Sequence, residues 1–140
     1  MDFKILQKAA YKVKKEEGLR LKPYQCTSGK LSIGYGRNLD DTGISEIEAS
    51  YLLHQDLSRC YHDLLTLIPQ FDQLSDSRKI ALLDMRYQLG FDGIKRFYQM
   101  IEAIIAEDFY EAATELLDSR YARQAPERAA RNANLIRGLL

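Results

Sequence analysis

The sequence predicts an α+β protein, mainly α: a short N-terminal helix, a minimal β-hairpin lobe and a helical lobe joined by one long helix. Three observations predict it. Apolar residues recur at helical spacing over most of the chain, the period switches to two only between Tyr24 and Gly36, and glycine or proline punctuates the segments. At 140 residues and 46% hydrophobic content the chain makes one globular domain, able to bury roughly two thirds of its unfolded surface. That domain covers 1–140, with a β-lobe over about 18–45 and a helical lobe over 46–140 to which the N-terminal helix belongs. A cleft where the two lobes adjoin is the expected ligand site.

The first helix follows from Phe3, Leu6, Ala10 and Val13, and four residues further along the same face stands Glu17. Its neighbour Glu16 is turned to the edge, four residues after Lys12, as a surface pair. Gly18 stops the helix and Pro23 prevents it from resuming. Leu31, Ile33 and Tyr35 then alternate with Ser32, Gly34 and Gly36 behind a Thr27-Ser28-Gly29 turn, which reads as a hairpin. Its polar face presents Ser32, and the bare backbone of Gly34 and Gly36 admits a close approach.

Ser45 with Glu48 forms a capping box, and Ala49, Leu53, Leu57, Cys60 and Leu64 stripe a long helix over 46–64 that ends before Pro69. Residues 78–89 are apolar on almost every side, which predicts a helix enclosed by others and ended by Gly90. Helices follow over Phe97–Ala106, Phe109–Leu117 and 127–137, the last with Pro126 at its first turn.

Composition excludes several classes. Twenty basic residues balance twenty acidic ones, so nothing in the net charge points to nucleic acid or to an anionic membrane. The distribution is uneven, with 9 basic and 3 acidic residues over 1–39, 6 and 16 over 40–118, and 5 and 1 over 119–140. A basic face built from the two ends, including Arg120, Arg123, Arg128, Arg131 and Arg137, would suit an anionic wall polymer. Two cysteines make no disulfide framework, and Cys60 on its helix stripe reads as a small core residue. His54 and His62, eight apart, lack metal-ligand spacing and read as surface or groove residues. No segment reads as a signal peptide or a membrane span, so the chain is expected to stay in the cytoplasm where it is made.

Glu17 is the residue that points to chemistry. Glycoside hydrolysis needs a carboxylic acid kept protonated enough to donate to the leaving oxygen, and a second group on the other side of the sugar. A glutamate at a helix end, on the apolar face and beside a glycine-rich hairpin, is placed for partial desolvation that raises its pKa. Taken alone, the same placement also suits a structural ion-pair partner.

The segment from Glu17 to Leu39 resembles the active-site segment of the phage-type lysozymes, the endolysin muramidases. In that family a Glu is followed at nine residues by Asp or Cys and, six further on, by the Thr of a Thr-Ile-Gly-x-Gly hairpin; here those positions hold Glu17, Cys26 and Ser32. The likeness continues through Ser45–Asp56, through Ala81–Gly93 with its Gln-Leu-Gly-Phe-Asp-Gly run, and through Ser119–Arg131, covering nearly the whole chain.

The resemblance implies a lysozyme-like fold, a cleft between its lobes, and hydrolysis of the β-1,4 bond between N-acetylmuramic acid and N-acetylglucosamine in peptidoglycan. It makes Glu17 the general acid, Cys26 the second catalytic group, Ser32 the hydroxyl that positions water, and Arg128 the arginine that pairs with the catalytic glutamate. Tyr35, Arg37 and Phe91 are candidate substrate contacts. No cofactor and no metal are implied, and a monomer is expected. A host-lysis role also requires a holin-like partner that opens the membrane to the wall.

Three departures stand out. Ser32 lacks the methyl that fixes a threonine rotamer, the loop after Asn38 is short, and Cys26 replaces the commoner aspartate. An ordinary thiol, with a pKa of about 8.5, is mostly neutral at pH 7. Two other functions therefore stay open: a wall-binding module of the same form without working chemistry, and a lytic transglycosylase that uses Glu17 alone.

Overall fold

The computed structural model describes residues 1–139 and has the α+β, mainly helical architecture expected. In chain order it comprises α1 (Phe3–Glu17), β1 (Arg20–Gln25), β2 (Leu31–Gly34), β3 (Arg37–Asn38), α2 (Glu46–Leu67), a single 3-10 turn (Phe71–Gln73), α3 (Asp76–Lys95), α4 (Tyr98–Ile105), α5 (Phe109–Leu117), α6 (Arg120–Gln124) and α7 (Pro126–Arg137). Two compact units divide it, Met1–Ser50 and the chain from Tyr51 onward, with α1 grouped with the strands and α2 running across the division.

In the first unit, the Asp2 side chain accepts a hydrogen bond from the Lys4 amide at 2.9 Å and so caps the start of α1. At the other end Gly18, with φ of 72°, returns its N–H to the Lys14 carbonyl at 3.0 Å, and Lys14 and Lys15 complement the negative helix terminus. No residue of α1 is buried: Phe3, Leu6, Val13 and Glu17 are all exposed. Helical spacing decides which residues share a face; it does not decide what lies against that face.

The expected hairpin is one half of a three-stranded antiparallel meander, β1-β2-β3. Tyr24 pairs with Ser32, and Ser32 with Asn38 on the other side, which makes β2 the central strand. The register between Arg20 and Tyr24 is irregular, and Pro23 lies within that irregularity on an edge strand. Proline has no N–H to give to a ladder, and an edge bulge is where a strand tolerates it.

The capping box that opens α2 forms in both directions: the Glu48 amide donates to Ser45 Oγ at 3.1 Å, and the Ser45 amide donates to Glu48 Oε1 at 2.9 Å. Only Cys60 and Leu64 of the α2 stripe are buried, and the helix runs on to Leu67. Its apolar positions feed a core in the second unit built around Leu64, Phe71, Leu82, Met85, Leu116 and Ile136. Each such side chain contributes about 1.5–3 kcal/mol by leaving water.

The expectation of an enclosed helix over 78–89 needs correction. Ala81, Leu82 and Met85 are buried, but Ile80 and Tyr87 are 56% and 46% exposed. Polar ties occupy part of its circumference: Arg86 pairs with Asp63 of α2 at 2.7 Å and Asp84 with Arg128 of α7 at 2.6 Å, so α3 buries one face rather than all of them. Gly90 interrupts α3 with φ of 78° and ψ of 170°, where the sequence put the stop, and one further turn carries the chain to Lys95. Pro126 opens α7, and Gly138 in the left-handed region closes it.

Candidate active site

Glu17 is the last residue of α1, and its side chain reaches the turn between β2 and β3. A Cβ added at Gly36, where φ is +77°, would stand 3.0 Å from Glu17 Oε2 and 3.4 Å from its Cδ. The close approach that the bare glycine backbone invited is thus made by the carboxylate of the same unit. Next to Gly36, the Tyr35 ring is 41% exposed and carries the Lys14 ammonium 5.2 Å from its centroid, a second contact of α1 with this turn. Glu17 itself is exposed, which overturns the expectation of a desolvated carboxyl; Glu16 pairs with Lys12 at 3.4 Å at the surface, as the spacing predicted.

Cys26 lies in the β1–β2 connection. Its amide donates to the Lys30 carbonyl at 2.9 Å, its own carbonyl accepts from the Gly29 amide at 2.9 Å, and its Sγ lies 3.0 Å from Ser28 Oγ. Those bonds change its chemistry. The thiol is lowered to about 7, first by the Ser28 hydroxyl, then by the backbone amides of the turn, with a smaller contribution from Ser32. An ordinary thiol pKa was expected at this position; the hydrogen bonds of the turn are what lower it. Ser32, on the central strand, is only 2% exposed, so its hydroxyl faces the protein rather than open solvent.

Arg37, expected as a substrate contact, makes a two-pronged bridge to Glu48, with Nη1 to Oε1 at 3.0 Å and Nη2 to Oε2 at 2.7 Å, and a further bond from Nη1 to the Gly43 carbonyl at 3.1 Å. The guanidinium and the two bonds from Ser45 hold the Glu48 carboxyl at about 2. Glu48 thus fastens β3 to the start of α2, a role its capping-box spacing did not announce.

In the second unit, Arg128 donates from Nε and Nη2 to the two oxygens of Asp84, at 2.9 and 2.6 Å. Asn132, nearly fully buried, donates to Asp84 at 2.8 Å and to the Tyr121 hydroxyl at 3.1 Å. Hydrogen bonding from Arg128 comes first among the causes that hold the Asp84 carboxyl below its usual range. Phe91 is half-buried with the Lys95 ammonium 4.5 Å from its ring centroid. A cavity of about 450 Å³ in this unit is lined by Phe97, Met100, Glu115, Arg120, Tyr121, Gln124 and others, none of them a residue the sequence singled out as catalytic or substrate-binding.

Ser28, Glu48, Asp84 and Asn132 are the polar residues that sequence reasoning missed. A carboxylate inside the apolar run of α3 was a signal available for Asp84. Both cysteines are free thiols, Cys60 is buried, and His54 and His62 are exposed. Among the described residues no cluster of three or more His, Cys, Asp or Glu is arranged to hold a metal ion, and no helix is long and apolar enough to cross a membrane.

Comparison with known proteins gives a consistent picture. The family described as phage lysozyme matches residues 14–137. A probable T4-type lysozyme 2 of Dictyostelium discoideum is 27% identical, over 85% of this chain and 87% of its own length. An endolysin of Acyrthosiphon pisum secondary endosymbiont phage 1 is 37% identical over 61% of this chain and 60% of its own. The pre-baseplate central spike protein Gp5 of Enterobacteria phage T4 is 28% identical over 89% of this chain, which spans only 26% of that protein.

Proposed function

This chain belongs to the phage lysozyme family, and from that premise we propose that it is a muramidase, hydrolysing the β-1,4 bond between N-acetylmuramic acid and N-acetylglucosamine of peptidoglycan. A lysozyme-type glycoside hydrolase is what the family brings; the bond and the residue roles are the proposal. The observation that carries it is that one small unit holds both a carboxyl group seated on a strand turn, Glu17 at Gly36, and the thiol of Cys26, hydrogen-bonded to Ser28.

In this reading Glu17 gives its proton to the leaving glycosidic oxygen as the bond from that oxygen to the anomeric carbon breaks. Water adds to the anomeric carbon, and the Cys26 thiolate takes the proton the water loses. Solvent then returns a proton to Glu17 and removes one from Cys26, so the reaction consumes one water. Ser32 supports the thiolate and the water it activates; the resemblance gives Arg128 the role of pairing with the acid, and in its own unit its guanidinium is held by Asp84. Tyr35, exposed beside the turn that seats Glu17, supplies an apolar face on which a sugar ring can stack. Arg37, bound to Glu48 and the Gly43 carbonyl, braces the turn next to Gly36 more than it holds substrate. The surplus of positive charge over 1–39 suits an anionic wall. The biological setting that fits is host-cell lysis, by a monomer that reaches the wall once a membrane-permeabilising partner has acted.

Purified peptidoglycan is the test substrate. Wild-type protein is expected to release fragments that have gained one water, whereas fragments with an anhydro end would replace this reading with transglycosylation by Glu17 alone. Glu17→Gln keeps size and polarity but has no proton to donate, and should lose on the order of 100- to 10,000-fold in rate while folding normally. Near-full activity in that variant would remove Glu17 from the mechanism; Glu16→Gln, at a surface pair, should change little.

A further inference from the structure

We infer that Gly36 is a positioning residue for the acid: the β2–β3 turn is a seat that fixes the Glu17 carboxylate, and the absence of a side chain at position 36 is what makes room for it. This rests on the reading of Glu17 as the general acid. Four observations converge on it. The site of a Gly36 Cβ lies 3.0, 3.4 and 3.7 Å from Oε2, Cδ and Cγ of Glu17, so the whole end of that side chain packs against this one backbone position. The helix stops at Gly18, immediately after Glu17, leaving the glutamate at the free end of α1. Lys14, one turn earlier, lies over the ring of Tyr35, so helix and turn meet at two neighbouring points. Arg37, the next residue, is clamped by Glu48 and the Gly43 carbonyl, which makes the seat rigid.

The chain contains a matched control. Gly34 shares the left-handed conformation, with φ of +71° against +77°, yet nothing lies within 4 Å of the Cβ it would carry. Alanine at 34 meets only the backbone strain of a positive φ, whereas alanine at 36 meets that strain and the Glu17 carboxylate. Any difference between the two variants therefore measures the seat. Asparagine tolerates a positive φ better than alanine does, so Gly34→Asn and Gly36→Asn repeat the comparison with less risk of unfolding.

The experiment measures kcat and KM on soluble peptidoglycan fragments, melting temperature, and the ¹³C resonance of the Glu17 carboxyl in all four variants. Melting temperatures should fall at both positions, because both share the positive φ. Both Gly36 variants should lose at least tenfold more kcat than their Gly34 counterparts, with KM within about twofold, because a displaced acid impairs proton transfer rather than binding. The Glu17 carboxyl resonance should move in the Gly36 variants and stay in place in the Gly34 variants. Equal kcat losses at the two positions, or an unmoved Glu17 resonance in Gly36→Asn, would overturn the inference. An inactive wild-type protein would instead sink the proposed muramidase activity, and the carboxyl resonance would then decide the seat by itself.

Discussion

At Cys26 the local fold turns an unremarkable thiol into a titrating group at physiological pH. With its value lowered to about 7, the thiolate fraction is roughly a tenth at pH 6, half at pH 7 and nine tenths at pH 8. Iodoacetamide should therefore modify Cys26 in the native protein with a rate that rises through a midpoint near pH 7. Ser28→Ala removes the largest cause of the lowering and should move that midpoint up toward an ordinary thiol. Cys60 is buried on α2, burial pushes its thiol up, and it should stay unmodified until the protein unfolds. If the native midpoint stayed near 9 the hydrogen bonds of the turn would not be stabilising a thiolate, and Cys26 would lose its basis as the second catalytic group. The candidacy of this position was legible in the sequence, nine residues after Glu17. Its ionisation was not, because the deciding partner, Ser28, looked like an ordinary turn residue.

Elements with a local chemical cause were the legible ones. The capping box of Ser45 and Glu48, the stops at Gly18 and Gly90, and Pro126 at the start of α7 each act within four residues, and each stands where the sequence put it. β3 has two residues and α6 has five, too few for any period to register. Ties between elements were also out of reach: Arg37 finds Glu48 eleven residues away and Arg128 finds Asp84 forty-four away, and no spacing rule covers either. The first tie predicts acid behaviour. Glu48 titrates at about 2 in the fold against an ordinary value near 4.5, so its bridge stabilises the native state above the ordinary value. That contribution is lost as pH falls from about 4.5 toward 2. Glu48→Gln should melt lower than wild type at pH 6, and the gap should close toward pH 2; a gap independent of pH would assign the effect to the capping box alone. The second tie joins α3 to α7. Arg128→Ala leaves a two-thirds-buried carboxylate with Asn132 as its remaining partner, which should cost about 1–2 kcal/mol, less than the 3–5 of a fully buried pair. Thermal denaturation should show a Tm loss of about 4–8 °C; no loss would mean that Asp84 rehydrates freely.

For the molecule as a whole, apolar burial is concentrated in one of the two units. Every buried hydrophobic residue among those described lies at position 60 or later, while the only buried residue of Met1–Ser50 is the polar Ser32. The hydrophobic effect scales with apolar area removed from water, so the driving force for a cooperative core resides in the chain from Tyr51 onward. That unit also closes its own polar ties: Arg86 with Asp63, Arg128 with Asp84, and Arg78 to the Ile136 carbonyl at 2.7 Å. A fragment of residues 51–140 is therefore expected to fold alone, with a helical circular dichroism spectrum and a single thermal transition. Its 90 residues exceed the roughly 40 below which a chain usually needs a disulfide, a metal or a partner. A fragment of residues 1–50, with no buried apolar side chain and a three-stranded sheet of short strands, should give no cooperative transition. Observing a cooperative melt in the short fragment and none in the long one would invert this assignment of stability. The expected result has a consequence for the site, because Glu17, Cys26 and Ser32 then belong to the less stable part of the chain. Amides of β2 should exchange with solvent faster than those of α3 and α7 in the intact protein, which hydrogen exchange measures directly.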